Sequence, residues 1–384
     1  MLYELPPAGN SIPAKPAVAG AVVEEAFGAA EVAWVSSGAA ALALALQVVL
    51  AADSERRRRV LIPAYTCPEV IAAVHYAGAE PVLVDLAPET PWLDLDAVAS
   101  RVGDGVAAVV AVDLFGIPER LADLRALCRP HGVVLVEDSA QRFPTGLDEG
   151  WSGDLVVLSF GRGKPVSTLG GGALLARGAT LQEQLRTLRR ALPEGGASGW
   201  KLKVKIHLYN LLRRPELYWI PTHFPGLGLG QTVYHPLVPL ESMSAAHRAL
   251  LPAALARYRQ GRAENEAFLH RALDESRAVA GLVDLPGRVF AGKIPRLSRY
   301  PILVSAAARD RIHAELSRRG LGASLMYRAT LPHIAGLEER LKGSRSFPGA
   351  EDFSRRLITL PVHDGVGCFD IERIVATLRG ATQG

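Results

Sequence analysis

Cysteine is scarce. The 384-residue chain has three, Cys67, Cys128 and Cys368, in no metal-ligand spacing, which excludes a disulfide framework and a cysteine zinc site and matches usage in a reducing compartment. Long apolar runs are missing too. No uncharged apolar stretch reaches the ~18 residues a membrane span needs, and the opening MLYELPPAGNSIPAKP lacks the apolar centre of a signal peptide. A cytoplasmic location is the expectation. Charge of one sign is not in excess: the net charge is +4, with arginines spread along the chain. By itself that balance does not suggest nucleic acid, and no nucleic-acid partner is expected. Apolar residues are plentiful at 49%, enough at this length to bury a large core and build two domains.

Short β-branched runs alternate with helical stretches. VLIPAYT, PVLVDL, VAAVVAVDLFG, VVLVED and LVVLSF read as strands, with helices through Val70–Tyr76 and Glu119–Arg129 between them. This order predicts an α/β fold with a mostly parallel sheet flanked by helices. Ligands of such sheets collect at the carboxyl ends of the strands, and two residues with useful chemistry fall there. Asp138 closes VVLVED, and Lys164 follows LVVLSF on a loop where Gly161 and Gly163 let the backbone turn sharply. A carboxylate on a ring nitrogen and an amine able to form an imine suit pyridoxal 5'-phosphate, because the acid keeps the ring protonated and electron-withdrawing. A lysine amine normally titrates near pH ~10.4, so nucleophilic use requires burial or a neighbouring cation. Each residue also has an ordinary role: a solvated loop lysine, an Asp as helix N-cap, a plain turn at Gly170–Gly172.

Ser36, Ser37 and Gly38 precede AAALALALQVVLAA, a helix whose capped N-terminus could hold a phosphate or could belong to an ordinary core helix. Two nucleotide motifs are excluded. Gly163-Lys164 is no P-loop, since Pro165 replaces the Ser/Thr and Leu158 the first glycine, and GLGLG at Gly226–Gly230 lacks the strand and spacing of a dinucleotide fingerprint.

EDSAQ (Glu137–Gln141), Gly153-Asp154 followed by Ser159-Phe160, a lysine five residues after Ser159, and the glycine cluster resemble the signature of the DegT/StrS family of pyridoxal-phosphate sugar aminotransferases. The family belongs to the aspartate aminotransferase superfamily, fold type I. SSGAAALALAL (Ser36–Leu46), the block Val60–Leu86, RYPILV (Arg299–Val304), MYRATLPH (Met326–His333) and LITLPVHDGV (Leu357–Val366) extend the resemblance over most of the chain. It implies a large cofactor domain over 1–242 and, over 243–384, a linking helix with a smaller C-terminal α/β domain.

It implies Lys164 as covalent anchor and proton carrier, in place of the histidine of dehydrating relatives, and Asp138 on the ring nitrogen. Gln141 would reach the phenolic oxygen, with Ser37, Gly38, Ala39 and Ser159 at the phosphate. The family's ring-stacking aromatic aligns with Cys67, and Tyr65, two residues earlier, is the other candidate to cover the ring. Tyr327 and His333 match a stretch near the substrate mouth. Departures from the family pattern are Ala39 for a hydroxyl residue, Asp113 for histidine, Gly171 for an acid, and Leu240 and Ser242 for the Asn and Arg that precede the linking helix. The implied activity is transfer of an amino group from glutamate or glutamine to a keto-sugar, nucleotide-linked, for a surface polysaccharide or glycosylated metabolite. The implied assembly is a homodimer, and no metal is required.

Residues 194–236 are explained least. WKLKVKIHLYNLLRR mixes Lys201, Lys203, Lys205, Arg213 and Arg214 with Trp200, Leu208, Tyr209, Leu211 and Leu212, and ELYWIPTHFPGLGLG adds aromatics. The expectation is a dimer-contacting insertion with a solvated basic face; the alternative is an element that lies on a membrane surface or grips an anionic substrate tail. Beyond it, Met243–Leu273 has helical periodicity interrupted at Pro252. Two other functions fit the sequence: an aminotransferase acting on a lipid-linked or carrier-bound ketone, and a cofactor-binding protein without turnover that serves regulation or assembly. Retention of both Asp138 and Lys164 argues against the last.

Overall fold

The apolar runs form the strands expected of them. The computed structural model describes residues 3–15, 31–103, 105–144, 150–224, 232–276, 281–290, 292–338, 340–341 and 346–382; the GLGLG stretch lies outside these. β1 (Glu31–Val35), β2 (Arg59–Pro63), β3 (Glu80–Val84), β4 (Val106–Val112), β5 (Val134–Asp138), β6 (Leu155–Ser159) and β7 (Gly172–Ala176) make a seven-stranded sheet in the order β1-β7-β6-β5-β4-β2-β3. β7 is antiparallel to both its neighbours, and every other pairing is parallel. The carboxyl ends of β2, β4, β5 and β6 therefore share one edge.

Alternate strand residues sort to opposite faces. Val60, Ile62, Ala108 and Val110 join one apolar cluster, while Leu61, Val109 and Ala111 join another. Both faces are covered, which is why β4 is buried along its whole length. The longer helices are α1 (Gly38–Ala52), α2 (Pro68–Tyr76), α3 (Leu121–Cys128), α4 (Ala179–Arg190), α5 (Gly199–Leu212), α6 (Leu251–Gln260), α7 (Glu264–Ser276), α8 (Ala306–Arg318), α9 (Pro348–Arg356) and α10 (Cys368–Thr382). α1 is apolar around its circumference and buried accordingly.

Near the C-terminus, β8 (Val283–Asp284), β9 (Tyr300–Leu303) and β10 (Leu357–Leu360) form an antiparallel sheet in the order β10-β9-β8. Tyr300, Ile302, Leu357 and Ile358 from this sheet join the same apolar cluster as α1, so one continuous core carries both sheets.

One expectation is corrected. Pro252 does not interrupt a helix: it sits in the first turn of α6, where no N–H is needed. The breaks between Met243 and Leu273 instead fall between Arg248 and Leu251, and at Gly261, which follows α6. α5 packs Leu202 and Ile206 on Ile12 and Leu250. Asn210 then ties the N-terminal segment to it, its amide accepting from Ile12 N at 2.9 Å and donating to Ile12 O at 2.8 Å.

Candidate active site

Strand ends and helix starts converge on one cleft. Gly38 and Ala39 open α1, Thr66 and Cys67 connect β2 to α2, and Val112, Asp138 and Ser159 are the last residues of β4, β5 and β6. With Gln141, Lys164 and Tyr327 they line a common cavity. Lys164 reaches it from a tight turn: Gly163 has φ +77°, and Lys164 N donates to Gly161 O at 3.3 Å. The start of α1 presses on β6. A Cβ at Gly38 would lie 2.6 Å from the Ser159 Cβ, so only glycine lets the helix end approach this closely.

Burial sets the electrostatics. Asp138 is buried and accepts from Ala140 N at 3.1 Å. Burial pushes its carboxyl up to about 6, against the opposing pull of the Ala140 N–H and the Lys164 charge. The Gln141 Oε1 accepts from Phe115 N at 3.1 Å, so its NH2 donor is the end a ligand can use. The Cys67 thiol is pushed up to about 11, chiefly by burial, and is hydrogen-bonded by the Tyr327 hydroxyl. It is therefore a neutral thiol and no nucleophile.

A buried polar layer lies behind Asp138. Asp113, at the position of the family's histidine, accepts from Ser139 Oγ at 2.7 Å and Glu119 N at 3.0 Å. Glu137 accepts from Ser152 N and Gly153 N at 2.8 and 2.7 Å. Arg142 reaches both carboxylates, at 3.5 Å from Asp113 and 3.2 Å from Glu137. Burial raises Asp113, and it carries Glu137 to about 7.

Several nominated residues stand elsewhere. The Ser37 Oγ accepts from Ala40 N at 3.0 Å as the cap of α1, and Ser37 does not line the cleft. Tyr65 is wholly buried, donates to the Met326 carbonyl, and meets Tyr327 and Phe353 edge-on at 5.8 and 5.3 Å. It thus packs behind the cleft wall. His333 is exposed, with its Nδ1 2.9 Å from Thr330 Oγ1, and is absent from the lining. Leu240 is buried and donates its N–H to Tyr76 Oη at 3.2 Å. Ser242 bridges to Val35 and accepts from Gly195 N at 3.2 Å. At Gly171 a φ of +94° strains any residue but glycine, and an added side chain would have to displace the end of the Met243 side chain.

Two residues went unnoticed in the sequence. Thr66 is 1% exposed, lines the cleft, and its Oγ1 has no hydrogen-bond partner among the described residues. A buried hydroxyl in this state is completed by a ligand or water; its only sequence signal was its place between Tyr65 and Cys67. The second is Arg299. Its guanidinium donates to Pro7 O at 3.3 Å, and the side chains acting on its charge are tyrosines, Tyr327 first, then Tyr218 and Tyr65, while burial lowers its pKa. Among the described residues Arg299 makes no ion pair, and its charge lies next to Tyr327, which lines the cleft.

This donor set fits pyridoxal phosphate. A buried carboxylate closes a strand, an amine shares its cleft, the first turn of α1 lies against Ser159 with N–H groups for a phosphate, and the Thr66 hydroxyl awaits a partner. Cys67 occupies the wall where the family's stacking ring stands, and Tyr327, hydrogen-bonded to it, is the aromatic residue of the lining.

Comparison with known proteins agrees. Residues 21–206 and 238–379 match the model of the DegT/DnrJ/EryC1/StrS aminotransferase family, and the interval left unmatched lies almost wholly within the insertion expected at 194–236. The chain is 24% identical over 361 residues to the UDP-N-acetyl-3-dehydro-alpha-D-glucosamine 3-aminotransferase of Acidithiobacillus ferrooxidans, covering 91% of this chain and 84% of the relative. It is 24% identical over 356 residues to the dTDP-4-dehydro-2,3,6-trideoxy-D-glucose 4-aminotransferase of Saccharopolyspora spinosa, covering 92% and 85%. Its fold is that of Streptococcus pneumoniae Spr1654, a candidate sugar aminotransferase solved in a PLP form, with TM-score 0.72, 18% identity and 99% of each chain covered. The chain belongs to the DegT/DnrJ/EryC1/StrS family of pyridoxal-phosphate-dependent aminotransferases.

Proposed function

We propose that this aminotransferase moves an amino group from glutamate or glutamine to a keto-sugar carried on a nucleoside diphosphate, working as a cytoplasmic homodimer. The observation that carries it is the shared cleft of Asp138, Lys164 and the α1 N-terminus. The nucleotide-linked substrate is supported by the two relatives, both named for such sugars.

When bound, pyridoxal phosphate supplies a carbon that accepts the amino group and a ring that withdraws electrons from the carbon losing its proton. The chain's residues supply the rest. The Lys164 amine would hold the cofactor and, as a free amine, would carry a proton to and from the substrate carbon. A cation at the ring nitrogen favours the ionised form of Asp138, reversing the upward push of burial. Gln141 donates to the phenolic oxygen, and the first turn of α1, with Ser159 and the Thr66 hydroxyl, holds the phosphate. Arg299, which has no ion pair among the described residues, takes a carboxylate of the amino donor.

The test is the visible spectrum of the protein reconstituted with pyridoxal phosphate. An absorption band that glutamate bleaches and that Lys164→Ala lacks is expected, followed by turnover of UDP- or dTDP-linked keto-sugars. Absence of any band after reconstitution overturns the assignment. Arg299→Leu should raise the glutamate concentration needed for half-bleaching by roughly 10–100-fold, as loss of a charged hydrogen bond does.

A further inference from the structure

The helix of the insertion has two apolar faces, and the body of the protein uses one. Leu202 and Ile206 of α5 are buried against Ile12 and Leu250. On the far side, Trp200, Val204, Leu208 and Leu211 follow one another at spacings of four, four and three, which puts them on a single stripe. They are 67%, 56%, 52% and 45% exposed. Nine large apolar side chains are exposed among the described residues, and these four make up the one helical stripe of them. Scattered exposed apolar residues are ordinary, whereas a continuous stripe marks a contact surface. The expected solvated basic face is therefore only a rim.

The rim identifies the contact. Helical geometry sets Lys201 and Lys205 along one side of the stripe and Lys203 and His207 along the other, and all four side chains are exposed. The sequence Gly199–Leu212 contains no acidic residue, and Arg213 and Arg214 follow it. A second copy of the chain fits poorly, because a twofold contact would bring lysine rim against lysine rim. An apolar stripe between lysines, with a tryptophan at one end, matches the boundary of an anionic bilayer: apolar side chains enter the acyl region while lysine stems lie along it and keep their amines at the headgroups. Fourteen residues of α5 give a helix of about 21 Å, long enough to lie in that plane and far too short to cross it. We propose that α5 docks the protein peripherally on anionic lipid through the Trp200–Leu211 stripe and its lysine rims.

Flotation of the full-length protein with vesicles tests this. Binding is expected to vesicles of phosphatidylcholine with phosphatidylglycerol, to be weak on phosphatidylcholine alone, and to fall with added salt. Lys203→Ala with Lys205→Ala should lower the partition coefficient roughly thirtyfold, at ~1 kcal/mol per surface lysine. Leu208→Glu should abolish binding with its thermal midpoint unchanged; Trp200→Ser provides the same reading should Leu208→Glu fail to fold. No binding to the anionic vesicles, or equal binding by wild type and both stripe variants, overturns the proposal. So does a fall in the mass of the assembly in Leu208→Glu, since a second copy would then be what covers the stripe.

Discussion

α1 and α5 both carry leucines along much of their length and are opposite in use. α1, GAAALALALQVVLAA, is buried over most of its length between the large sheet and its neighbours, and its only polar work is at its first turn, beside Ser159. α5, GWKLKVKIHLYNLL, buries just Leu202 and Ile206. The difference is written in charge. α1 carries no ionisable side chain, so no side of it favours water; α5 places lysines along both edges of an outward stripe. An apolar helix thus belongs to the core when nothing on it needs solvent, and to a partner surface when cations border its apolar face.

The largest test of this contrast is Leu44→Ala. Leu44 is 0% exposed in α1, and a leucine deleted from a packed core costs roughly 3–5 kcal/mol. Denaturant unfolding should show that loss; a change under about 1 kcal/mol would mean α1 is not locked in the core. Gly38→Ala comes next. The added methyl would meet the Ser159 Cβ at 2.6 Å, so α1 or β6 must shift, at about 1–3 kcal/mol. Because the displaced end is the proposed phosphate site, cofactor affinity should fall with stability. Titration of the apoprotein with pyridoxal phosphate reads both, and unchanged affinity would separate the helix end from the phosphate.

Much of this was legible beforehand. Continuous β-branched runs ending in Asp138 and Ser159 predicted buried parallel strands and their active edge, because burial on both faces demands such runs. Ser37 was legible as a cap, and its hydroxyl serves Ala40 N in the first turn of α1, since capping and phosphate binding call for the same hydroxyl. Tyr65 could not be told from a stacking ring, because its neighbours Phe353 and Tyr327 lie far along the chain. The same holds for Arg299: its surroundings of tyrosines are a property of packing, invisible in RYPILV. In α5, periodicity gave the helix, yet which apolar face would be covered depended on Ile12 and Leu250, distant in sequence.

The response to pH should be smaller and should leave the contrast intact. Burial raises Glu119, Glu137 and Glu266 to about 7. A raised folded-state pKa means that stability from these groups is complete below the unfolded value near ~4.5 and is lost as pH rises through about 7. His363 opposes this, being held down to about 4 by burial; its contribution is complete above ~6.5 and is lost as pH falls toward 4. The thermal midpoint of the apoprotein should therefore peak on the acid side of neutrality and decline by a few degrees toward pH ~8. With no titratable group in α1, Leu44→Ala should lower the whole curve without reshaping it. A flat curve from pH ~5 to 8 would mean that these carboxyls are solvated.

The smallest expected effect is the most discriminating. Leu208→Ala removes the same atoms as Leu44→Ala from a side chain that is 52% exposed. If nothing covers the stripe in solution, unfolding free energy should change by less than about 0.5 kcal/mol, as at an ordinary surface site, while partitioning to anionic vesicles weakens. The same deletion would then be severe in one helix and nearly silent in the other, though each removes a leucine from a helix. A loss of about 2 kcal/mol or more would put Leu208 in a covered environment already in solution, and α5 would join α1 as a buried helix, with another copy of the chain supplying the cover.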